Sequence, residues 1–228
     1  TESPEPTATP EASATPAPES KVLYSKTFEE GTDPADMSDW SQTWSVDSSA
    51  TSKADTGAGN NTTTVWNYYS ATAQNLTAAT TVTASDAGNY KASFLTAGEN
   101  VTGTISLTAG DRKVSADLTA GGWDVYTPAE TDALTVEAGT KLTITISLDI
   151  AAGGYLKIDD ILVTKASDAE IQAEKTAKAE ELQSLITEYK ALKETDYTAD
   201  SWKDLKEALT EGENFLQALD GDYTSTTV

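Results

Sequence analysis

Between Lys21 and Lys165 the apolar residues recur at every second position in short runs, a pattern that suits a half-buried sheet and little else. The clearest run is Leu142, Ile144, Ile146 and Leu148, with Thr143, Thr145 and Ser147 between them. Successive side chains of a strand point to opposite faces, so this segment has one buried face and one wet face. Comparable runs predict strands near 22–28, 40–46, 62–69, 75–83, 89–95, 101–107, 112–118, 123–126, 132–136, 141–148 and 155–163. Small-residue and amide clusters punctuate them and read as turns: 86–89, 97–100 (Ala-Gly-Glu-Asn), 109–111, 120–122, 138–139 and 152–154 (Ala-Gly-Gly). Short antiparallel strands at this spacing imply a mostly β fold, a β-sandwich with jelly-roll topology as the expected arrangement.

The flanks differ in kind. Residues 1–20 hold five of the seven prolines and no aromatic residue. With so little apolar surface to offset ordering, this stretch is expected to be a disordered, extended linker. Past Lys165 the apolar period becomes helical. Leu182, Leu185, Ile186, Tyr189 and Leu192 share one face of a helix expected over 168–194. A second helix, over 199–219, presents Trp202, Leu205, Leu209 and Leu216, with Thr198 or Asp200 as its cap. Two amphipathic helices make a small antiparallel hairpin that leaves apolar surface without a third partner. The expected division is a linker over 1–20, a β-sandwich over 21–166 and a helical segment over 167–228. A chain that starts inside a linker is expected to be a piece of a longer, multimodular protein.

Composition removes several functions. With 15 basic and 37 acidic residues, a net charge of −22 repels phosphate backbones and anionic membranes, and no segment holds a basic patch. Without Cys or His there is no Ser-His-Asp or Cys-His catalysis, no thiolate chemistry and no ordinary zinc site. A bound metal would be a hard, oxygen-ligated one, calcium first. No apolar run reaches the ~20 residues a membrane-spanning helix needs. The wealth of Thr, Ser, Ala, Gly and Asp with few Lys and Arg reads as extracellular, secreted or attached to a cell wall. A glycosidase-type carboxylate pair is not removed by inventory.

Recognition chemistry concentrates in Val65 to Ser70, Val-Trp-Asn-Tyr-Tyr-Ser. An aromatic face matches the C–H face of a pyranose, and an amide both donates to and accepts from hydroxyls. Trp66, Asn67 and Tyr68 are therefore candidate saccharide contacts, with Trp66 and Tyr68 on one strand face and Asn67 and Tyr69 on the other. Trp123 and Tyr126 follow Gly121-Gly122, and their spacing sends them to opposite faces. Tyr155 follows a second Gly pair. Trp40 and Trp44 share a strand face, and Trp40 reads as core.

Several of these elements, in order, resemble the galactan-binding modules of carbohydrate-binding module family 61, which accompany bacterial endo-β-1,4-galactanases of glycoside hydrolase family 53. The likeness rests on Phe28-Glu29-Glu30-Gly31 followed by Trp40, on Val65-Trp66-Asn67, on Asp86-Ala87-Gly88-Asn89-Tyr90, on Gly122-Trp123-Asp124-Val125-Tyr126, and on Gly154-Tyr155 through Asp159-Asp160-Ile161. Tyr126 and Tyr155 stand where Trp is common in those modules. The resemblance implies a non-catalytic module that holds a secreted or surface-bound glycoside hydrolase on plant polysaccharide, with β-1,4-galactan as the expected glycan. It also implies a structural calcium ion held by Glu29 and Asp159. Residues 168–228 resemble the FIVAR repeat, a three-helix module of Gram-positive surface proteins, through Glu194 to Leu209, and the segment is cut short before its third helix. The chain is expected to be no enzyme itself and a monomer within its larger protein. The alternative is a structural spacer or adhesin segment of a surface protein.

Overall fold

The computed structural model describes residues 21–28, 37–45, 50–56 and 64–224. The expected linker at 1–20 and the metal candidate Glu29 lie outside the described residues. The chain divides into two compact units between Ser167 and Asp168.

The first unit is one antiparallel sheet curled into a β-sandwich. Its strands are β1 (Lys21–Lys26), β2 (Ser41–Trp44), β3 (Ala50–Thr56), β4 (Thr64–Ser70), β5 (Gln74–Thr83), β6 (Gly88–Ala109), β7 (Arg112–Asp117), β8 (Gly122–Glu130), β9 (Leu134–Val136) and β10 (Lys141–Lys165). β6 and β10 are far longer than their sequence suggests, at 22 and 25 residues. The expected turns at 97–100 and 152–154 are not turns. In the β6–β10 ladder Ile150 pairs with Val101 and Tyr155 with Glu99, so residues 151–154 of β10 stand opposite Asn100 alone. This is a bulge, in which surplus residues on one strand bend the ladder without ending it. Asn100 adopts φ 56 and Gly153 φ 75, the left-handed conformation such a bend requires.

The bulge divides each long strand into two halves that serve different layers. Residues 141–150 of β10 pair with β5 on one side and with 101–108 of β6 on the other. Residues 154–165 pair with β4 and β1, and with 90–99 of β6. β2 extends the first layer from β5, and β7 extends it from β6. β3 extends the second layer from β4, and β8 and β9 extend it from β6. Between the layers lies a single core in which Leu142, Ile144, Ile146 and Leu148 meet Tyr90, Phe94, Leu156 and Ile158. The alternation in 142–148 thus places its buried face as the sequence pattern requires. β3 had no expected counterpart, because Ala50–Thr56 is polar and lacks alternation.

An aromatic cluster seals one end of this core. Trp66 packs at 6.4 Å from Phe28, 6.1 Å from Trp40 and 4.6 Å from Tyr68, and Tyr68 lies 5.9 Å from Trp44, all as tilted or edge contacts. Trp40 Nε1 donates to the Tyr24 hydroxyl at 2.7 Å, and that hydroxyl donates to the Asp39 carboxylate at 2.7 Å. Burial first, and the Asp39 hydrogen bond second, push the Tyr24 phenol well above its usual range, so it stays a neutral donor.

The second unit is a helical hairpin of α1 (Asp168–Lys190) and α2 (Ala199–Thr224), with a short 3-10 turn at Glu194–Asp196. α1 stops at Lys190 rather than 194, because Ala191 and Leu192 donate to Glu188 and Tyr189, the tighter bonds of a closing last turn. Thr198 caps α2: its hydroxyl accepts the Ser201 N–H at 3.2 Å. Of the face expected on α1, Ile186 is buried and Leu182 half-buried, whereas Leu185 and Tyr189 are exposed. Ile186 packs where α2 carries Gly212, a position at which a β-carbon would approach it to 3.1 Å. Among the described residues, no helix is long and apolar enough to cross a membrane.

Because Trp66 sits at the centre of the aromatic cluster, Trp66→Ala is expected to destabilise the β unit by about 3–5 kcal/mol, read from the urea midpoint followed by near-ultraviolet circular dichroism.

Candidate functional site

Trp66 and Tyr68 do not form a solvent-facing shelf. They are 2% and 0% exposed, sealed by the cross-layer contacts described above. The physical reason is strand parity: β4 lies between β3 and β10, so one of its faces must fill the sandwich, and the bulkiest pair takes that face. Asn67 and Tyr69 therefore point outward, Asn67 half-buried and Tyr69 42% exposed.

The register then builds a second aromatic surface on the outer face. Tyr69 pairs with Tyr155, and Tyr155 with Glu99; Asn67 pairs with Lys157, and Lys157 with Ala97. Across these rows lies Trp123 of β8, 60% exposed. It is placed there because Gly122 pairs with Gly98, which fixes the start of β8 against β6, and because Gly122 takes φ 109. Thr127 pins the far side of this segment by donating to the Thr119 carbonyl at 2.7 Å. Residues 123–126 of β8 stand opposite Ala97 alone, so strict alternation does not hold between Trp123 and Tyr126, and Tyr126 is half-buried.

Two contacts hold the Trp123 ring from below. Its edge meets Tyr155 at 5.1 Å between centroids and 60° between planes. The Lys157 ammonium lies 3.7 Å from the ring centroid, and Lys157 is only 1% exposed. A cation against an indole face is worth about 0.5–2 kcal/mol, more as water is excluded. One face of Trp123 is thereby fixed by the protein and the other is left to solvent, which is the arrangement a flat, apolar ligand face can stack on.

Beside Trp123 runs an open trough of about 860 Å³, bounded by β6, the bulge and the segment before β8. Its polar lining is Glu99, Asn100, Thr102, Thr119 and Asp149. Backbone passes close to backbone at the bulge: a β-carbon on Gly98 would meet the Tyr155 carbonyl at 2.5 Å, and one on Gly154 the Asn100 carbonyl at 2.4 Å. The bulge that bends the sheet thus also builds the trough. Carboxylates, an amide and hydroxyls accept from and donate to sugar hydroxyls, and among the described residues no Lys or Arg lines the trough.

Of the residues singled out from sequence, Trp123, Tyr155 and Asn67 come to this outer face, Tyr126 is half-buried in the same bulge as Trp123, and Trp66 and Tyr68 belong to the core. Lys157, Tyr69, Glu99, Asn100 and Asp149 had not been singled out. Lys157 carried a readable signal, a single cation inside the apolar run Leu156-Lys157-Ile158. Glu99 and Asn100 were hidden by the appearance of a turn. Asp159, the remaining metal candidate, is buried on β10, and its Oδ1 accepts the Asp160 N–H at 2.9 Å. Among the described residues, no three acidic side chains converge.

No protein-family profile and no curated protein sequence matches the chain. Among solved structures it is similar to TmCBM61 in complex with β-1,4-galactotriose, with 21% identity and a TM-score of 0.53 over 62% of this chain and 95% of that one. It is also similar to the CBM22-1 xylan-binding domain of Xyn10C from Paenibacillus barcinonensis, with 14% identity and a TM-score of 0.46 over 68% and 100%. A third likeness is to the family 11 carbohydrate-binding module of cellulase Lic26A-Cel5E of Clostridium thermocellum, with 12% identity and a TM-score of 0.44 over 66% and 96%. The first likeness establishes the β-sandwich fold, and the other two carry no further argument.

If Lys157 holds the Trp123 ring, Lys157→Met is expected to lower the heteronuclear NOE of the Trp123 indole N–H. Those of Trp40 and Trp66 should not change, and Lys157→Arg should restore the Trp123 value.

Proposed function

We propose that this chain is a non-catalytic polysaccharide-binding module, with the exposed face of Trp123 as its stacking platform. The observation that carries this reading is a single large ring, fixed from beneath by Lys157 and Tyr155, beside a trough lined by hydroxyl-binding groups. The ring supplies apolar contact to one sugar face, while Glu99, Asn100 and Tyr69 stand within the same surface to take its hydroxyls. Non-catalytic action is supported by the exposure of both trough carboxylates, Glu99 and Asp149.

The preferred glycan in this reading is β-1,4-galactan. The ordered motifs from Phe28 to Ile161 support it, as does similarity to a fold whose bound ligand is β-1,4-galactotriose. The parent protein is then a secreted or wall-attached glycoside hydrolase, the module acts as a monomer within it, and the helical unit corresponds to a FIVAR-like repeat. A single platform with a few polar contacts gives micromolar or weaker affinity, which attachment to a processive or tethered enzyme raises through effective concentration.

The same reading carries a structural calcium ion at Asp159. The carboxylate is buried, and two non-glycine residues, Phe28 at φ 62 and Asp160 at φ 48, hold left-handed backbone where β1 leaves β10. Asp159 and Glu29 would hold the ion, tying the first strand to the last through hard oxygen ligands.

In affinity electrophoresis, β-1,4-galactan is expected to retard the chain more than xylan does, and Trp123→Ala to weaken binding at least tenfold, about 1.4 kcal/mol. Retardation by no glycan would leave the spacer reading. For calcium, chelator is expected to lower the Tm of the β unit and added calcium to restore it; an unchanged Tm removes the ion from the account.

A further inference from the structure

The trough does not end at the platform. A second depression, of about 360 Å³, lies along the first layer and is lined by Asn75, Thr77, Thr104, Ser147 and Asp149. Asp149 lines both depressions. The ladder makes them continuous: Asp149 pairs with Asn75 on one side and Thr102 on the other, and Ser147 with Thr77 and Thr104. These residues alternate with Leu76, Leu148 and Val101, which are buried, so all of them stand on the outer face. The polar band begins at Trp123, crosses the bulge by Glu99 and Asn100, and runs out over the first layer. From Gly98 to Thr104 the strand follows at most about 20 Å of contour, bent at Asn100, enough for a few pyranose units that follow the bend.

We propose that this band is an extended track for one saccharide chain, and that the module binds internal stretches of polysaccharide, with Asp149 as the junction between a stacking end at Trp123 and a hydrogen-bonding end at Asn75, Thr77, Ser147 and Thr104. The inference rests on the polysaccharide reading above and deepens it. The chemistry of the far end favours a neutral glycan. Short hydroxyl and amide side chains present donors and acceptors at strand spacing, while Asp149 and Glu99 accept from sugar hydroxyls and repel uronic acids or phosphate. Among the described residues neither depression has a Lys or Arg in its lining to offset that repulsion. The far end has no ring to stack on, so its contribution comes from hydroxyl contacts that accumulate with chain length.

The test is calorimetric titration of the whole 228-residue chain with β-1,4-galactobiose, triose, tetraose and hexaose. The track requires affinity to rise at least tenfold from triose to hexaose. Asn75→Ala, and separately Thr77→Tyr, which fills the exposed far depression, should each bind the triose within twofold of the unaltered chain and lose the gain on hexaose. Urea unfolding of both variants serves as the check that the sheet is intact. A plateau at triose in the unaltered chain overturns the track and leaves the Trp123 platform standing, as does a gain that survives in both variants. Binding of no oligosaccharide at any length overturns the polysaccharide reading itself.

Discussion

The structure depends on a mismatch of count between two strands. Where β10 spends residues 151–154 against Asn100 of β6, the ladder bends, and one sheet becomes two layers. The bend is possible only because Gly98 and Gly154 let backbone pass where a β-carbon would collide with a carbonyl oxygen, and because Asn100 and Gly153 take left-handed φ. The core on one side of the bend and the trough on the other follow from the same local geometry. A residue with a side chain at Gly98 or Gly154 would disturb both at once.

That coupling explains how the aromatic residues are divided. The inner face of the bent sheet must be filled to native density, and Trp66, Tyr68, Trp40 and Phe28 fill one end of it. On the outer face of this sheet Tyr69, Tyr155 and Trp123 remain for a ligand. The buried ammonium of Lys157 belongs to this outer set. Its stem crosses the sheet surface and its charge meets the indole face, so the platform is held by an interaction that a merely apolar underside would not supply.

Much of this was legible from the residues alone. Alternation in 142–148 placed the buried face of β10, and Thr198 was readable as a cap. The helical period after Lys165 gave the hairpin, although Leu185 and Tyr189 lie outside its buried stripe. What was not legible came from non-local pairing. Ala-Gly-Glu-Asn and Ala-Gly-Gly are turn signals in isolation, and become a bulge only because the ladder sets them against each other. Trp66 and Tyr68 looked like recognition residues because aromatic density by itself does not say which face of a strand is inward; that is decided by neighbours on either side of β4. Trp123 was legible from its glycine pair, whereas the partners that fix it, Lys157 and Tyr155, are more than thirty residues away in sequence.

The central claim is that one ring, Trp123, meets the glycan while the aromatic cluster of the core does not. The five tryptophans give five indole N–H resonances, which report this directly in a 15N-labelled chain titrated with β-1,4-galactohexaose. The account predicts that the Trp123 resonance moves saturably while those of Trp40 and Trp66 stay in place. A saturable shift at Trp66 with Trp123 unmoved would contradict it.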